Sequence, residues 1–173
     1  MKFLNVLAIA SMLLLCGLAQ AQLLPDNTTL NVQSVQRWMK SNRDFTLVIR
    51  SVDSMFTSEE ALDKFDLLPA MEQDQKINSF LQQQKMLETA NTITYQHGWK
   101  SVGEYRRLST KLGNAIAAYF LAGKMSHLSA AERKTLREKS DPAVVAVSSK
   151  DIDFVKANEV LLKSYIQSYA KGR

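Results

Sequence analysis

The chain has a single cysteine, Cys16, which lies in an apolar run near the N terminus. Residues 17–173 can therefore form no disulfide bond, no thiolate metal site and no cysteine nucleophile. Histidine is almost as scarce, because His97 and His127 are the only two. They lie far apart in sequence, outside any H-x-x-x-H or H-E-x-x-H pattern, and each falls at a predicted helix end, where a capping or solvated role is typical. The sequence predicts no metal site and no cofactor.

Motifs that carry catalysis are also lacking. No G-x-S-x-G elbow frames a serine, and no glycine-rich loop could hold a phosphate. Glu59, Asp63 and Asp66 share one face of a predicted helix, but no carbonyl-rich turn accompanies them, so we expect a solvated acidic face rather than a cation site. We predict that the protein is not an enzyme and has no catalytic residue.

The N terminus has the three parts of a secretory signal. Lys2 precedes an apolar run at residues 3–15, and residues 19–21 read A-Q-A, a cleavage site with small side chains. A spanning anchor would need about 20 apolar residues. A lipid anchor on Cys16 would need small residues before it, where the chain has leucines. We predict cleavage after Ala21 and a periplasmic or secreted protein.

A chain of this length after cleavage can bury one core without disulfides. Its hydrophobic content of 46% and charged content of 23% are ordinary for a globular protein. We predict a signal peptide at 1–21, an extended arm at 22–30 and a single helical domain at 31–173.

Apolar residues recur at the 3.6-residue spacing of amphipathic helices along most of the domain. The β-branched run at residues 47–49 could form a strand, but the helical stripe stays in phase through it. The predicted fold is all-α, a single antiparallel bundle of five or six helices after signal-peptide removal. Residues 112–122 are apolar nearly all round, so their helix should be central. The predicted helices cover residues 31–56, 58–67, 69–95, 101–123 and 130–139, with a last one from Ser149, and residues 143–147 form a loop or extended piece.

Local signals predict where the helices begin and end. Gly98 is the expected C-cap of the third helix, and Trp99 beside it should staple the third helix to the fourth. Three capping boxes, in which a hydroxyl and a later carboxylate satisfy backbone donors reciprocally, are predicted at Thr57 with Glu60, Ser101 with Glu104, and Ser129 with Glu132.

Positive charge is concentrated in one segment. Residues 99–139 hold nine Lys and Arg against three Asp and Glu, whereas residues 22–98 hold seven against ten. Such clusters attract polyanions, and export argues against nucleic acid as the partner. A solvated basic face is the alternative. The candidate contact residues for an anionic envelope component or an acidic protein are Arg106, Arg107, Lys111, Arg133, Lys134 and Arg137.

Residues 95–105 read YQHGWKSVGEY and precede the Ala-rich segment 114–122. This pattern resembles small exported all-helical proteins of proteobacteria, in which a His-Gly-aromatic cap precedes a helix with an acidic–aromatic pair. Those proteins have no assigned activity. The resemblance therefore implies export and helicity and transfers no functional residue.

The leading functional hypothesis is an exported, non-enzymatic protein that contacts an envelope macromolecule through a basic surface on residues 99–139. The alternative is a helical bundle that binds a small apolar ligand or lipid. An enzyme of unknown type comes third. Flexible methionines would give the alternative an adaptable lining, namely Met39, Met55, Met71, Met86 and Met125.

Overall fold

The computed structural model describes residues 29–172. The predicted signal peptide 1–21 and most of the predicted arm lie outside this range. Over the described residues the chain is all-helical, with no strand. The helices are α1 (Val32–Asp53), α2 (Glu59–Asp66), α3 (Ala70–Gln83), α4 (Leu87–Gln96), α5 (Val102–Met125), α6 (Ala130–Glu138), α7 (Pro142–Val145), α8 (Ser149–Ala157) and α9 (Glu159–Lys171).

The described residues form nine helices rather than the predicted five or six, because two predicted helices are interrupted and a short further helix lies in a segment predicted to be a loop or extended piece. The helix predicted over 69–95 is divided by Lys85, whose φ of 58° is left-handed. The Met86 amide donates to Leu81 O at 2.8 Å and the Lys85 amide donates to Gln82 O at 3.0 Å. This pair of bonds is a Schellman motif, which ends α3 and turns the chain into α4.

The predicted C-terminal helix is also interrupted. Asn158 separates α8 from α9, and its side-chain amide donates to Phe154 O at 2.8 Å. The segment predicted to be a loop or extended piece contains the short helix α7, whose first turn is capped by Asp141. The Asp141 carboxylate accepts a hydrogen bond from the Ala143 amide at 2.8 Å, and Pro142 occupies the first helical position.

One of the three predicted capping boxes is confirmed. At α6, Ser129 Oγ accepts from the Glu132 amide and the Glu132 carboxylate accepts from the Ser129 amide at 2.8 Å. At α2 the prediction is wrong by one residue, because Ser58 rather than Thr57 is the N-cap.

At α5 the predicted box is only half formed. Ser101 Oγ accepts from the Glu104 amide at 2.9 Å, but the Glu104 carboxylate accepts from the amide of Lys100 at 2.6 Å. The Ser101 hydroxyl is thereby left to donate to Asp74 Oδ2 at 3.0 Å. The start of α5 is thus tied to α3 as well as capped.

The helix predicted to be central, α5, packs against α1, α3, α4, α7, α8 and α9. Its second half buries small side chains at Ala115, Ala117 and Ala118, whereas Gly113 is exposed and no neighbour lies within 4 Å of its Cβ position. Within residues 29–172, no helix combines enough length with enough hydropathy to cross a bilayer.

An aromatic cluster joins α1 to α5. The rings of Phe45 and Tyr105 stack with centroids 4.0 Å apart, and Trp99 meets Tyr105 edge-on at 5.4 Å. Trp99 Nε1 donates to the buried Ser41 hydroxyl at 3.1 Å. The Trp99 side chain therefore fastens α5 to α1, rather than to the helix that precedes it as predicted. Burial raises the pKa of the Tyr105 phenol, whose hydroxyl donates to Asn42 at 2.9 Å.

Gly98, which the sequence predicts as the C-cap, is the left-handed residue directly after the C-cap His97. Its φ of 69° lets its amide donate to Tyr95 O while the Trp99 amide donates to Thr94 O at 3.0 Å. A second Schellman motif thus ends α4. Its geometry sets Trp99 immediately before α5, in position to enter the aromatic cluster.

Candidate functional site

The predicted basic residues of α5 are bound by carboxylates from other helices. Arg106 is only 7% exposed, and its Nη1 lies 2.6 Å from Asp66 Oδ1. Its guanidinium also lies over the rings of Phe56 and Phe65, at 5.2 and 5.1 Å from their centroids. Arg106 therefore ties α5 to the end of α2 by an ion pair with cation–π support.

Arg107 makes the corresponding tie to α3. Its Nη1 lies 2.8 Å from Asp74 Oδ1 and donates to Ala70 O at 3.3 Å. Lys111, one turn further along α5, lies 3.8 Å from Asp151 on α8. All three cations that the sequence assigned to an anionic partner on this helix thus have a carboxylate within the fold.

A nearby carboxyl has an altered pKa. Desolvation raises the pKa of Asp53, at the end of α1, and the positive charge of Arg106 offsets part of that rise. The Arg106 charge therefore acts on Asp53 in addition to forming the ion pair with Asp66.

Arg106, Arg107 and Lys111 lie in one wall of a cleft with a volume of about 920 Å³. The second wall is the end of α2 with the start of α3, and the third runs from Asp141 through α7 to the start of α8. The lining residues are Asp63, Asp66, Leu67, Leu68, Ala70, Gln73, Arg106, Arg107, Thr110, Lys111, Asn114, Asp141, Pro142, Ala143, Ala146, Val147, Ser148 and Asp151.

The cleft has two chemically different parts. Apolar groups come from the α2–α3 connection, where Leu67 is 86% exposed, and from the α7 region, including Ala146 and Val147. Hydrogen-bonding groups come from α5, where Thr110 and Asn114 accompany the three cations. The lining holds three cations and four carboxylates, so its charges nearly balance. This arrangement suits a ligand with an apolar body and a polar, uncharged or zwitterionic end.

The other three candidate residues lie elsewhere. Arg133, Lys134 and Arg137 project from α6, which contributes no buried residue and packs closely against none of the other described helices. Lys134 lies 3.9 Å from Glu138 on the same helix. The structure therefore divides the six predicted residues into a paired set inside the cleft and an exposed set on α6.

The acidic face predicted on α2 is exposed, and it is partly engaged. Asp66 binds Arg106, while Glu59 and Asp63 face solvent or the cleft mouth. Among residues 29–172, no cluster of three or more His, Cys, Asp and Glu side chains could hold a metal ion.

The two histidines lie at helix ends, as the sequence indicates. His97 is the C-cap of α4, and its Nε2 lies 2.8 Å from Asp44 Oδ2 on α1. His127 follows α5 and is exposed. Neither histidine lines the cleft.

The sequence did not reveal the cleft itself. The methionines expected to line a ligand site are not among its residues, and Met71 is largely exposed. Three lining residues of α5 were recognisable in the sequence by their positive charge, whereas the α7 residues were predicted to form a loop or extended piece. In the sequence, the adjacent Leu67 and Leu68 at the end of a predicted helix were the one apolar feature that could have indicated the cleft.

Comparison with known proteins does not add a function. No protein-family model matches the chain, and no match is found among curated proteins or among solved structures.

Proposed function

We propose that this chain is an exported helical protein that works by binding rather than by catalysis, and that the cleft beside α5 receives a small amphiphilic ligand. In this proposal the signal segment 1–21 is removed, and the remaining helices act as one antiparallel bundle in the periplasm or outside the cell. The ligand has an apolar body and an uncharged or zwitterionic polar end.

The observation that carries the proposal is the lining of the cleft. Its volume of about 920 Å³ falls in the range of about 300–1,000 Å³ typical of small-molecule sites. Leu67, Ala146 and Val147 supply apolar surface, while α5 supplies guanidinium, hydroxyl and amide donors. Because Arg106 and Lys111 are already paired with Asp66 and Asp151, the donors are held in place without a net positive charge.

The test uses N-phenyl-1-naphthylamine, a neutral amphiphilic fluorophore, with the protein purified in the form that cells export. We expect saturable binding that lysophosphatidylcholine displaces better than lysophosphatidylglycerol. Ala146→Phe fills the cleft and should abolish binding. Ala157→Phe adds the same ring at an exposed alanine of α8 that does not line the cleft, so it should bind as wild type does.

Equal binding by the wild type and both variants would contradict the proposal, because it would place the probe outside the cleft. Circular dichroism of each variant checks that the helices are intact. Organic extracts of the protein isolated from its native envelope, analysed by mass spectrometry, then identify the natural ligand.

A further inference from the structure

Helix α6 stands apart from the rest of the described chain. All its residues are exposed except the half-buried Leu136, and it packs closely against none of the other described helices. Its ends are fixed by local bonds, namely the Ser129–Glu132 capping box and the hydrogen bond from Ser140 Oγ to Leu136 O at 2.7 Å. The helix is therefore a convex, projecting element whose side chains are available to a partner.

One face of α6 is a cationic strip. Ala130, Arg133, Lys134, Arg137 and Glu138 recur at helical spacing and border one shallow depression. Over residues 29–172, no carboxylate lies within ion-pair distance of Arg133 or Arg137, in contrast to the three paired cations of α5. The strip spans eight residue rises, or about 12 Å.

We propose that this face of α6 docks the protein on an anionic lipid surface. A planar array of anionic headgroups can reach a projecting, convex helix along its whole strip, and each basic side chain near such a surface adds attraction. The proposal concerns a surface separate from the cleft, since none of the α6 residues lines it.

The shape of the strip favours a membrane over a linear polyanion. A polymer gains affinity from a long track of cations, whereas this strip is short, ends in the acidic Glu138 and is followed by Asp141. A small free anion would need a concave site with buried donors, and α6 contributes no buried residue. The geometry therefore fits weak, reversible contact with a broad anionic surface.

The test is co-sedimentation of the exported form with vesicles of phosphatidylglycerol mixed with phosphatidylcholine, and with vesicles of phosphatidylcholine alone. We expect binding to the anionic vesicles only, falling steeply as salt shortens the Debye length towards about 8 Å. The variant Arg133→Gln/Lys134→Gln/Arg137→Gln should bind the anionic vesicles about 100-fold more weakly.

The matched control is Lys40→Gln/Arg43→Gln/Arg50→Gln, which removes the same charge from exposed positions on α1. It should bind within a few-fold of wild type. Equal losses in the two triple variants would overturn the proposal, because net charge alone would then explain the binding. So would binding to soluble alginate without binding to the anionic vesicles, or no preference for anionic vesicles at low salt.

Discussion

A methyl group on Gly103 would overlap the carboxylate of Asp74, so this carboxylate can lie against the first turn of α5 only because residue 103 has no side chain. The same carboxylate accepts hydrogen bonds from Ser101 and Arg107. Gly103→Ala should push Asp74 away from both donors. We expect a loss of about 1–3 kcal/mol in the free energy of unfolding, measured by urea denaturation.

The control is the same substitution ten residues later in the same helix. Gly113 is exposed, and nothing lies within 4 Å of an added Cβ. Gly113→Ala should therefore stabilise the protein by about 0.5–1 kcal/mol through helix propensity alone. If both substitutions changed stability in the same direction, room for the Asp74 carboxylate would not be what Gly103 provides.

The left-handed turn at Lys85 leads to a second prediction. A non-glycine residue in this region costs about 1–2 kcal/mol, which glycine avoids at the expense of some chain entropy. We expect Lys85→Gly to raise the thermal midpoint and Gly98→Ala, at the equivalent position after α4, to lower it. Scanning calorimetry of the two variants checks the signs, and a stabilising Gly98→Ala would refute the assignment of a left-handed cap.

The ion pair between the buried Arg106 and the more exposed Asp66 should respond unequally to loss of either partner. Asp66→Asn leaves a guanidinium that is 7% exposed without its carboxylate, which costs about 1–3 kcal/mol. Arg106→Met keeps the contact with Phe56 and Phe65 and leaves Asp66 partly open to water, so it should cost less. Urea denaturation of both single variants and the double variant gives the coupling. A larger loss for Arg106→Met would contradict this account.

Helix α6 should loosen at acid pH. Hydrogen bonds from the Ser129 side chain and amide lower the pKa of the Glu132 carboxyl. A carboxyl with a lowered pKa stabilises the folded state above its unfolded pKa, and this contribution is lost as the pH falls through the folded pKa. We expect Ser129→Ala to raise the Glu132 pKa towards its ordinary value in an NMR titration. Amide protection factors in α6, which correct for the intrinsic exchange rate at each pH, should fall over the same acid range, and an unchanged Glu132 pKa in the variant would refute the cap.

The helical stripe predicted α1, α2, α5 and α6 to within about three residues and identified α5 as central. It did not predict the interruption at Lys85, because the glutamines before it and the lysine itself are good helix formers with no glycine or proline to mark a stop. The break between α8 and α9 falls at Asn158, which is a weaker stop signal than glycine or proline. The position of each break depends on how the helices pack against one another, and the hydrophobic periodicity of the sequence does not encode that packing.

The sequence predicted the basic residues of the candidate site but not which side chains lie beside them in the fold. The charge count located Arg106, Arg107 and Lys111, but their partners Asp66, Asp74 and Asp151 lie 33 to 40 residues away in sequence. Such pairs form only when α5 meets α2, α3 and α8. The sequence of a basic helix is therefore the same whether its cations bind another molecule or form ion pairs with neighbouring helices of the same chain.

In helix α6, surface charge can vary separately from folding. Because no side chain of α6 is buried, a substitution on its basic strip removes no core contact and leaves the packing of α5 unchanged. Such changes alter the strength or sign of a surface interaction at almost no thermodynamic expense to the remaining helices. The corresponding cations of α5 lack this freedom, since each also holds a neighbouring helix. Substitutions can therefore change the surface charge of α6 with little effect on stability, whereas substitutions at Arg106 are constrained by its contacts with α2.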